Sequence, residues 1–465
     1  MTFSVILSDP ERSRRGVEGS HYNLQYTMLN FLFTQTPLAF LTQSFWRDEA
    51  FSYFLAKKNV LEIIILSAKD FNPPLYQLLL HFWLKIFGPS EISIRSLSLL
   101  FFWATLYVCF LFLQEIFKFN FKKSLIYLLL FLLNPFLLYY AFEARMYSLF
   151  TFLATLSFYS FYRKKYRLHL LASILGLYTH YFMLFVMASQ LFFNFFINKR
   201  GRGYEDQTPN NIIFKPLFLF FPWFIFILFQ KNFFTTSFWI QSVRFETLVN
   251  LMGTVYTGYD GGYQLYANKI TLISLVILLL IVILFKLRIK KNYSDKRLLF
   301  FLSIWAIGIP LFVIFISLVK SIYFPRYFIF STVGFILFLI YLLERVRGLG
   351  RTIAIILLII IALDYHLIQI KNYQKKDFRK LAQEVKTIAK KDDPIYVSSE
   401  LDFFTAKYYL PDHQLFIYNK TYAEIPDFVG KVLISRSDIA SSLPRFPKKA
   451  FLLKSDGTYN IQALY

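Results

Sequence analysis

Long apolar runs joined by short, basic loops are the feature that most limits the folds open to this chain. A run of about 17–25 apolar residues can cross a bilayer as a helix, and this sequence contains one such run after another. The pattern predicts an all-α polytopic membrane protein with about 11 transmembrane helices. The predicted spans are 26–44, 93–115, 123–141, 145–162, 167–181, 182–198, 212–230, 268–286, 298–319, 326–343 and 352–370.

Composition agrees with this class and argues against a nucleic-acid-binding protein. Hydrophobic residues make up 56% of the 465 residues, above the roughly 45–50% of soluble domains. A net charge of +23 would suggest nucleic acid in a soluble protein. Here the Lys and Arg residues lie mostly in short loops, where they set topology and contact anionic lipid headgroups. We therefore expect membrane lipids as partners and no nucleic acid.

The segment 73–88 decides the topology. It has 16 residues, including His81 and Lys85, and is short for a span, so we interpret it as an interfacial helix in the first outer loop. Most basic loops then share one side, which the positive-inside rule places in the cytoplasm with the N-terminus. Residues 1–25 are too polar for a cleavable signal peptide, so we expect the first span to target the chain to the plasma membrane.

The composition changes at residue 371, after the last predicted span. The sequence then indicates an amphipathic helix, a short strand (IYVSS) and a second helix. The interpretation is a transmembrane catalytic domain at 1–370 and a small soluble α/β domain at 371–465. Eleven spans would place that C-terminal domain outside the cytoplasm.

Acidic residues are concentrated in the first outer loop. Carboxylates beside a bilayer are costly unless they are solvated, paired or used, so their concentration here indicates an active site. The acidic residues of this loop are Asp48, Glu49, Glu62, Asp70 and Glu91.

Other polar residues fall on the same outer face in this topology. A carboxylate can take a proton from a hydroxyl, and arginine can hold a phosphate through two hydrogen bonds. A site with both can transfer a group from a lipid-linked phosphate to an acceptor hydroxyl. These further residues are Arg95, Glu143, Arg145, His180, Tyr181, Arg326 and Tyr327.

Three motifs resemble the GT-C class of membrane glycosyltransferases. They are FWRDEAFS, DFNPPLYQLLLHFWLKIFGPSEISIRSLSLLF and NPFLLYYAFEARMYSL, and they occur in this order within roughly residues 40–200. The nearest branch resembles the protein O-mannosyltransferases and the lipid A aminoarabinose transferases. YFPRYFIFS and the KDFRKLAQEV segment match more loosely.

The resemblance implies transfer of a sugar from a polyprenyl-phosphate donor to a lipid, glycan or protein acceptor outside the cytoplasm. It implies that Asp48 is the general base and that Glu49 orients Asp48 or the acceptor. It implies that Asp70 is a second catalytic acid, at a place where the aminoarabinose branch usually has Glu. The arginines are candidates for the leaving phosphate, and Glu143, His180, Tyr181 and Tyr327 for other substrate contacts. The arginine candidates are Arg95, Arg145 and Arg326.

No cofactor is firmly implied, although some GT-C enzymes use a divalent cation. Asp48, Asp70 and His81 could offer ligands, but their spacing does not demand a metal. The loop 231–267, with its GYDGGY sequence, could cover the site as a lid.

Several of these residues also have a purely structural interpretation. Asp48 and Glu49 could cap a helix, and Asp70 could belong to a turn before the prolines. Arg95 and Arg326 could be membrane anchors, and His180 an interhelical hydrogen-bonding group.

The competing function is a transporter or flippase, which should carry ionisable groups in mid-span. A polymerase or ligase of lipid-linked glycans is a third alternative.

Overall fold

The computed structural model describes residues 30–70, 72–198, 209–230, 240–258, 267–286, 295–346 and 348–462. The described chain is mostly helical. Its first part, before the long apolar helices, consists of five short helices. These are α1 (30–35), α2 (Ala39–Thr42), α3 (Arg47–Ala56), α4 (Val60–Lys69) and α5 (Leu75–Phe87).

The apolar middle of the chain forms a helical bundle. A π-helical segment, Ile304–Gly308, interrupts the helical stretch 296–317, and a 3₁₀ helix, Pro325–Phe328, precedes the helix that begins at Ile329. The helices are α6 (Glu91–Glu115), α7 (Phe121–Leu132), α8 (Pro135–Ala141), α9 (Tyr147–Tyr162), α10 (Tyr166–Leu177), α11 (Met183–Asn198), α12 (Asn210–Gln230), α13 (Phe245–Val249), α14 (Leu251–Thr257), α15 (Ala267–Lys286), α16 (Lys296–Ser303), α17 (Ile309–Ser317), α18 (Ile329–Leu343) and α19 (Leu349–Asn372).

Six helices among the described residues are long and apolar enough to cross a membrane, and a bent pair, α7 with α8, would make seven. Three further apolar helices, α5, α10 and most of α11, are shorter. Helices occupy every predicted span from residue 93 onward. The predicted first span is broken between α1 and α2, and its residues 26–29 lie outside the described chain. The count of 11 spans and the interfacial position of α5 stay predictions.

The chain bends by 72° between α7 and α8. Pro135 begins α8, where its missing N–H costs nothing. Asn134 caps the new helix by accepting hydrogen bonds from the backbone of Phe136 and Leu137 at 3.1 and 3.0 Å. Its side-chain amide also donates to the Tyr256 carbonyl at 2.8 Å, which fixes the bend against α14. The residues after α8 are thereby carried to α3.

The C-terminal segment forms a five-stranded sheet with helices around it. Its strand order is β3-β2-β1-β4-β5, parallel except for the antiparallel β4–β5 pair. The expected helix, strand and helix correspond to α20, β1 and α21. The elements are α20 (Phe378–Ile388), β1 (Ile395–Val397), α21 (Phe403–Tyr409), β2 (Leu415–Tyr418), β3 (Ile439–Ala440), β4 (Ala450–Leu453) and β5 (Tyr459–Gln462).

This segment packs closely against α3 and the residues on either side of it. Phe51 and Leu55 of α3 belong to the same hydrophobic cluster as the sheet and α20. Arg379 donates two hydrogen bonds to Glu91 Oε1, at 3.1 and 2.8 Å. The Ser44 hydroxyl donates to Asp377 Oδ1 at 2.7 Å. Apolar and polar contacts together hold α3 between the bundle and the C-terminal segment.

Candidate functional site

A cavity of about 540 Å³ lies where α3 meets the helical bundle and the C-terminal segment. We call it the main cavity. It lies within the roughly 300–1,000 Å³ of small-molecule binding sites. Its lining residues are Trp46, Arg47, Asp48, Phe51, Asp70, Asn72, Arg145, Tyr147, His180, Tyr181, Phe182, Ile240, Ile322, Arg326, Tyr327, Leu401, Phe428 and Val429.

Most of the site residues predicted from the sequence line this one cavity. They come from five separate parts of the chain, and the fold brings them together at this cavity. Three predicted residues, Glu49, Arg95 and Glu143, are not among the lining residues. The predicted residues that do line it are Asp48, Asp70, Arg145, His180, Tyr181, Arg326 and Tyr327.

Asp48 lies in the first turn of α3 with its carboxylate directed at two guanidinium groups. Its Oδ2 atom is 3.4 Å from Arg326 Nη1 and 3.8 Å from Arg145 Nη2. The side chain is 31% exposed, so the carboxylate is accessible from the cavity. Burial alone would raise the pKa of Asp48, but the positive charges of Arg145 and Arg326 outweigh it and hold the pKa below its usual value. Asp48 is therefore a carboxylate, able to accept a proton, at neutral pH.

Arg326 owes its position to the 3₁₀ helix before α18. Its guanidinium lies over the rings of Phe324 and Tyr147, at 4.6 and 5.6 Å from their centroids. Arg145 leaves the turn after α8, and its side chain is only 10% exposed. Two guanidinium groups that line one cavity place two positive charges beside Asp48, and arginine is well suited to binding a phosphate.

Glu49, next to Asp48, points away from the cavity and is completely buried. It accepts hydrogen bonds from the backbone of Trp46 and Ala144, each at 3.0 Å. It also accepts two bonds from Arg95 and one from Lys375, between 2.8 and 2.9 Å. Burial favours a raised pKa, but the charges of Arg95 and Lys375 dominate and the pKa of Glu49 is lowered. This carboxylate joins the first loop, the turn after α8 and the C-terminal segment.

Arg95 is likewise fully buried and uses its donors within the protein. Besides its two bonds to Glu49, it donates to the carbonyls of Leu41, Gln43 and Ser44 at 2.9, 2.6 and 3.1 Å. The hypothesis that Arg95 binds the leaving phosphate does not fit this arrangement, because its donors are engaged and it does not line the main cavity. Through these hydrogen bonds Arg95 instead holds the residues that precede α3 in place.

Glu143 lines a second, smaller cavity of about 130 Å³. This small cavity shares Trp46 and Arg326 with the main cavity, so the two adjoin. Only 5% of Glu143 is exposed. Burial, its largest influence, raises the pKa of Glu143. The remaining lining residues are Phe136, Tyr139, Tyr140, Gly258, Gln369, Tyr373, Gln374 and Lys375.

Aromatic residues form one wall of the main cavity. His180 lies 5.0 Å from the Tyr327 ring and stacks at 4.9 Å on Phe150. Its Nδ1 atom accepts a hydrogen bond from the Phe182 backbone at 3.1 Å, which is a local contact and not the interhelical bond of the structural interpretation. Burial and then the charge of Arg145 lower the pKa of His180 to about 3. The imidazole is therefore neutral at pH 7.

Asp70 and Tyr181 complete the set of predicted residues. Asp70 follows α4 as its C-cap, and its neighbours Pro73 and Pro74 precede α5. Asp70 lines the main cavity, which is compatible with a chemical role. It also ends α4, which is compatible with a structural role. Burial, helped by the nearby charge of Asp70, raises the pKa of Tyr181 to about 12, so its hydroxyl keeps its proton.

Three contributors were missed by sequence reasoning. Trp46 and Arg47 directly precede Asp48 and line the main cavity. Lys375 lies 2.9 Å from Glu49 and lines the small cavity. Arg47 directly precedes the Asp48–Glu49 pair, and this position in the sequence could have identified it. Lys375 is one of several lysines after the last span, and nothing local separates it from its neighbours.

The described residues contain no group of three or more His, Cys, Asp or Glu side chains arranged to hold a metal ion. His81, considered as a ligand, lies within 2.8 Å of the Ala56 carbonyl through its Nδ1 atom and is not a lining residue of either cavity. For the proposed lid, residues 231–239 and 259–266 lie outside the described chain.

Comparison with solved structures shows what this arrangement is similar to. The structure of ArnT from Cupriavidus metallidurans bound to undecaprenyl phosphate matches with a TM-score of 0.58 at 12% identity, covering 94% of this chain and 93% of ArnT. The apo ArnT structure matches over the same shares with a TM-score of 0.49 at 11% identity. No family model matches the sequence, and no curated protein matches it. The chain thus has an ArnT-like membrane-protein fold, which supports the predicted GT-C class at the level of the fold.

Proposed function

We propose that this chain is an integral membrane glycosyltransferase of the GT-C type. It moves a sugar from a polyprenyl-phosphate donor to an acceptor hydroxyl on the extracytoplasmic face. The observation that carries the proposal is the accessible carboxylate of Asp48 beside the guanidinium groups of Arg145 and Arg326 in one cavity. A general base and an anion-binding pair are the two elements that this transfer requires.

The reaction follows from these roles. The acceptor oxygen forms a bond to the anomeric carbon while Asp48 takes the hydroxyl proton. The bond between the anomeric carbon and the phosphate oxygen breaks, and its electron pair leaves with the polyprenyl phosphate. Arg145 and Arg326 stabilise the charge that develops on that phosphate. As the phosphate engages the arginines, Asp48 loses part of their stabilisation and becomes a stronger base.

Other parts of the proposal concern the setting of this reaction. ArnT with undecaprenyl phosphate bound supports a polyprenyl phosphate as the lipid carrier, because the fold is shared. Residues 1–370 form the transmembrane catalytic domain and 371–465 an extracytoplasmic α/β domain. The N-terminus is cytoplasmic and the protein resides in the plasma membrane. Asp70, Tyr181 and Tyr327 contact substrates, whereas Glu49 and Arg95 position Asp48.

A transfer assay tests the proposal. Purified protein in lipid vesicles is given polyprenyl phosphates carrying radiolabelled hexoses or pentoses, with lipid, glycan and peptide acceptors. We expect consumption of at least one donor, with the label recovered on an acceptor. If every donor stays intact while labelled lipid or solute crosses the bilayer, the transporter alternative replaces this function.

A further inference from the structure

Exposed basic residues gather at the edge of the C-terminal sheet where β1 and β4 begin. These parallel strands are neighbours, with Ile395 opposite Phe451, so the two segments that lead into them end side by side. The Phe451 backbone N–H donates to the Pro394 carbonyl at 3.2 Å, which joins the two segments directly. Both segments are basic, and all five of their cations are exposed. We call these five residues the basic edge: Lys390, Lys391, Arg445, Lys448 and Lys449.

The charges of the basic edge are not neutralised by ion pairs within the described chain. Three carboxylates lie at the same edge: Asp392 and Asp393 precede β1, and Asp412 precedes the neighbouring β2. Asp393 is engaged locally, since it accepts a hydrogen bond from the Lys390 backbone at 2.8 Å. An excess of positive charge therefore remains, and such a surface attracts a negatively charged partner. The cations of the C-terminal segment that do form ion pairs with described residues are Lys375, Arg379, Lys407 and Lys420.

The basic edge lies on the side of the sheet that is opposite to α3. The other edge, where β1 and β4 end, is near α3, because Asp402 after β1 accepts a hydrogen bond from Arg47 Nε at 2.7 Å. Helix α20 begins beside Ser44, which donates to its N-cap Asp377. Its 11 residues, at a rise of 1.5 Å each, carry the chain about 16 Å from there toward the loop before β1. The basic edge is therefore directed away from the helical bundle and is accessible to a partner in solution.

An aromatic side chain lies within this basic surface. Phe446 is 64% exposed and stands between Arg445 and Lys448, in a segment that Pro444 and Pro447 stiffen. A large apolar side chain among cations fits a partner that carries apolar faces together with negative charge. A charged polysaccharide has both, because the C–H faces of its rings can lie against the aromatic ring. A polyphosphate chain carries the charge without such faces.

We propose that the basic edge and Phe446 bind an anionic polysaccharide, whose negative groups are phosphates or carboxylates. None of these six residues lines either cavity, so the proposal does not depend on the proposed reaction. In the proposed orientation of the chain, this surface faces the extracytoplasmic side, and the partner is a glycan outside the membrane.

Binding of fluorescently labelled polymers to the full-length protein, in nanodiscs of zwitterionic lipid, tests this proposal. The polymers are phosphomannan, polygalacturonate, inorganic polyphosphate and neutral dextran. We expect at least one of the two charged polysaccharides to bind, and the binding to weaken as salt screens the charges. Dextran should not bind. Comparison of phosphomannan with polygalacturonate distinguishes phosphate from carboxylate as the negative group.

Variants locate the binding surface. Lys448→Gln combined with Lys449→Gln should weaken polysaccharide binding by at least about tenfold, as for two charges at an anionic surface. Phe446→Ala should weaken it by about fivefold and leave polyphosphate binding unchanged. The matched control is Lys376→Gln combined with Lys380→Gln, because it removes the same charge at exposed positions near the start of α20. The control should bind the polysaccharide as the wild type does.

Equal losses in the two double variants would overturn the proposal, and so would the absence of binding to both charged polysaccharides. Polyphosphate binding as tight as that of the polysaccharides, together with no effect of Phe446→Ala, would overturn the assignment to a glycan. The proposed glycosyl transfer stands or falls by its own assay, because these variants leave both cavities unchanged.

Discussion

At the scale of single residues, the site depends on the different surroundings of two adjacent carboxylates. Asp48 is 31% exposed to the main cavity and faces two guanidinium groups at 3.4 and 3.8 Å. Glu49 is fully buried and bonded to Arg95 and Lys375. The burial of Glu49 fixes the start of α3, and the exposure of Asp48 leaves it available for proton transfer. The chain thus separates structural support from chemistry within one dipeptide.

The pKa of Asp48 leads to a prediction about pH. Because it is lowered, protonation should reduce kcat/KM only below the ordinary Asp pKa of about 3.9. Arg326→Gln removes a positive charge, which raises the pKa of Asp48, so the acid limb should move to higher pH. Arg326→Lys keeps the charge and should leave the limb closer to that of the wild type. A pH profile of kcat/KM for the three proteins measures this.

His180 should not contribute to that profile near neutrality, because its pKa of about 3 keeps it neutral. A wild-type acid limb near pH 6–7, the usual range of a histidine, would contradict the account. So would an Arg326→Gln limb that coincides with the wild-type one.

At the scale of elements, the C-terminal segment helps to build the site although its strands carry none of the predicted site residues. It supplies Leu401, Phe428 and Val429 to the main cavity wall. Lys375, just after α19, contributes a second cation, beside Arg95, at Glu49. The polar contacts of Arg379 and Asp377 with the first loop keep this arrangement together. Removing one connection should therefore disturb α3 without dismantling the bundle.

Lys375→Met tests that connection. Loss of the ion pair to Glu49 should shift α3 slightly, and such misplacement of a catalytic group can lower kcat by up to about 100-fold. The variant should also move the acid limb of kcat/KM to higher pH, since Lys375 contributes to the lowered pKa of Asp48. Lys375→Arg should restore much of the activity. Lys376→Met, at an exposed neighbouring position, is the control.

A drop in kcat together with an unchanged pH profile in Lys375→Met would contradict the positioning role, because a purely structural lysine would not affect the titration of Asp48. Equal losses in Lys375→Met and Lys376→Met would contradict it too. Thermal unfolding of each variant separates these effects from instability.

The sequence predicted the helices and the candidate site residues better than it predicted which residues contact one another. Apolar length fixes where helices form, and scarce carboxylates near a membrane indicate a site, so the sequence predicted Asp48, Arg145 and Arg326, which the fold brings to one cavity. The burial of Arg95 could not be predicted. An arginine that reaches the membrane surface and one that is enclosed by backbone carbonyls can occur in the same local sequence. The contact of Lys375 with Glu49 joins residues 326 positions apart and depends on how the C-terminal segment packs.

At the scale of the whole molecule, the proposed function requires one orientation of the chain across the membrane. In the proposed function the lipid-linked donor comes from the bilayer and the acceptor from the extracytoplasmic side, where we place the C-terminal segment. The account therefore requires the C-terminal segment to be outside the cytoplasm and the loop between α6 and α7 to be inside.

Cysteine labelling in intact cells measures this topology. The only native cysteine, Cys109, is completely buried and should not react. We expect Ser441→Cys, at an exposed position, to react with a membrane-impermeant maleimide. Lys122→Cys, exposed at the start of α7, should react only after the cells are permeabilised. The reverse pattern would contradict the proposed orientation.

The central claim is that Asp48 is the base of a glycosyl transfer, and the most direct measurement compares wild type with Asp48→Asn in the transfer assay. The substitution keeps the size of the side chain and removes its ability to accept the proton. We predict a loss of about 10²–10⁴-fold in kcat, with binding of undecaprenyl phosphate retained. Equal transfer by both proteins would contradict the account at its centre.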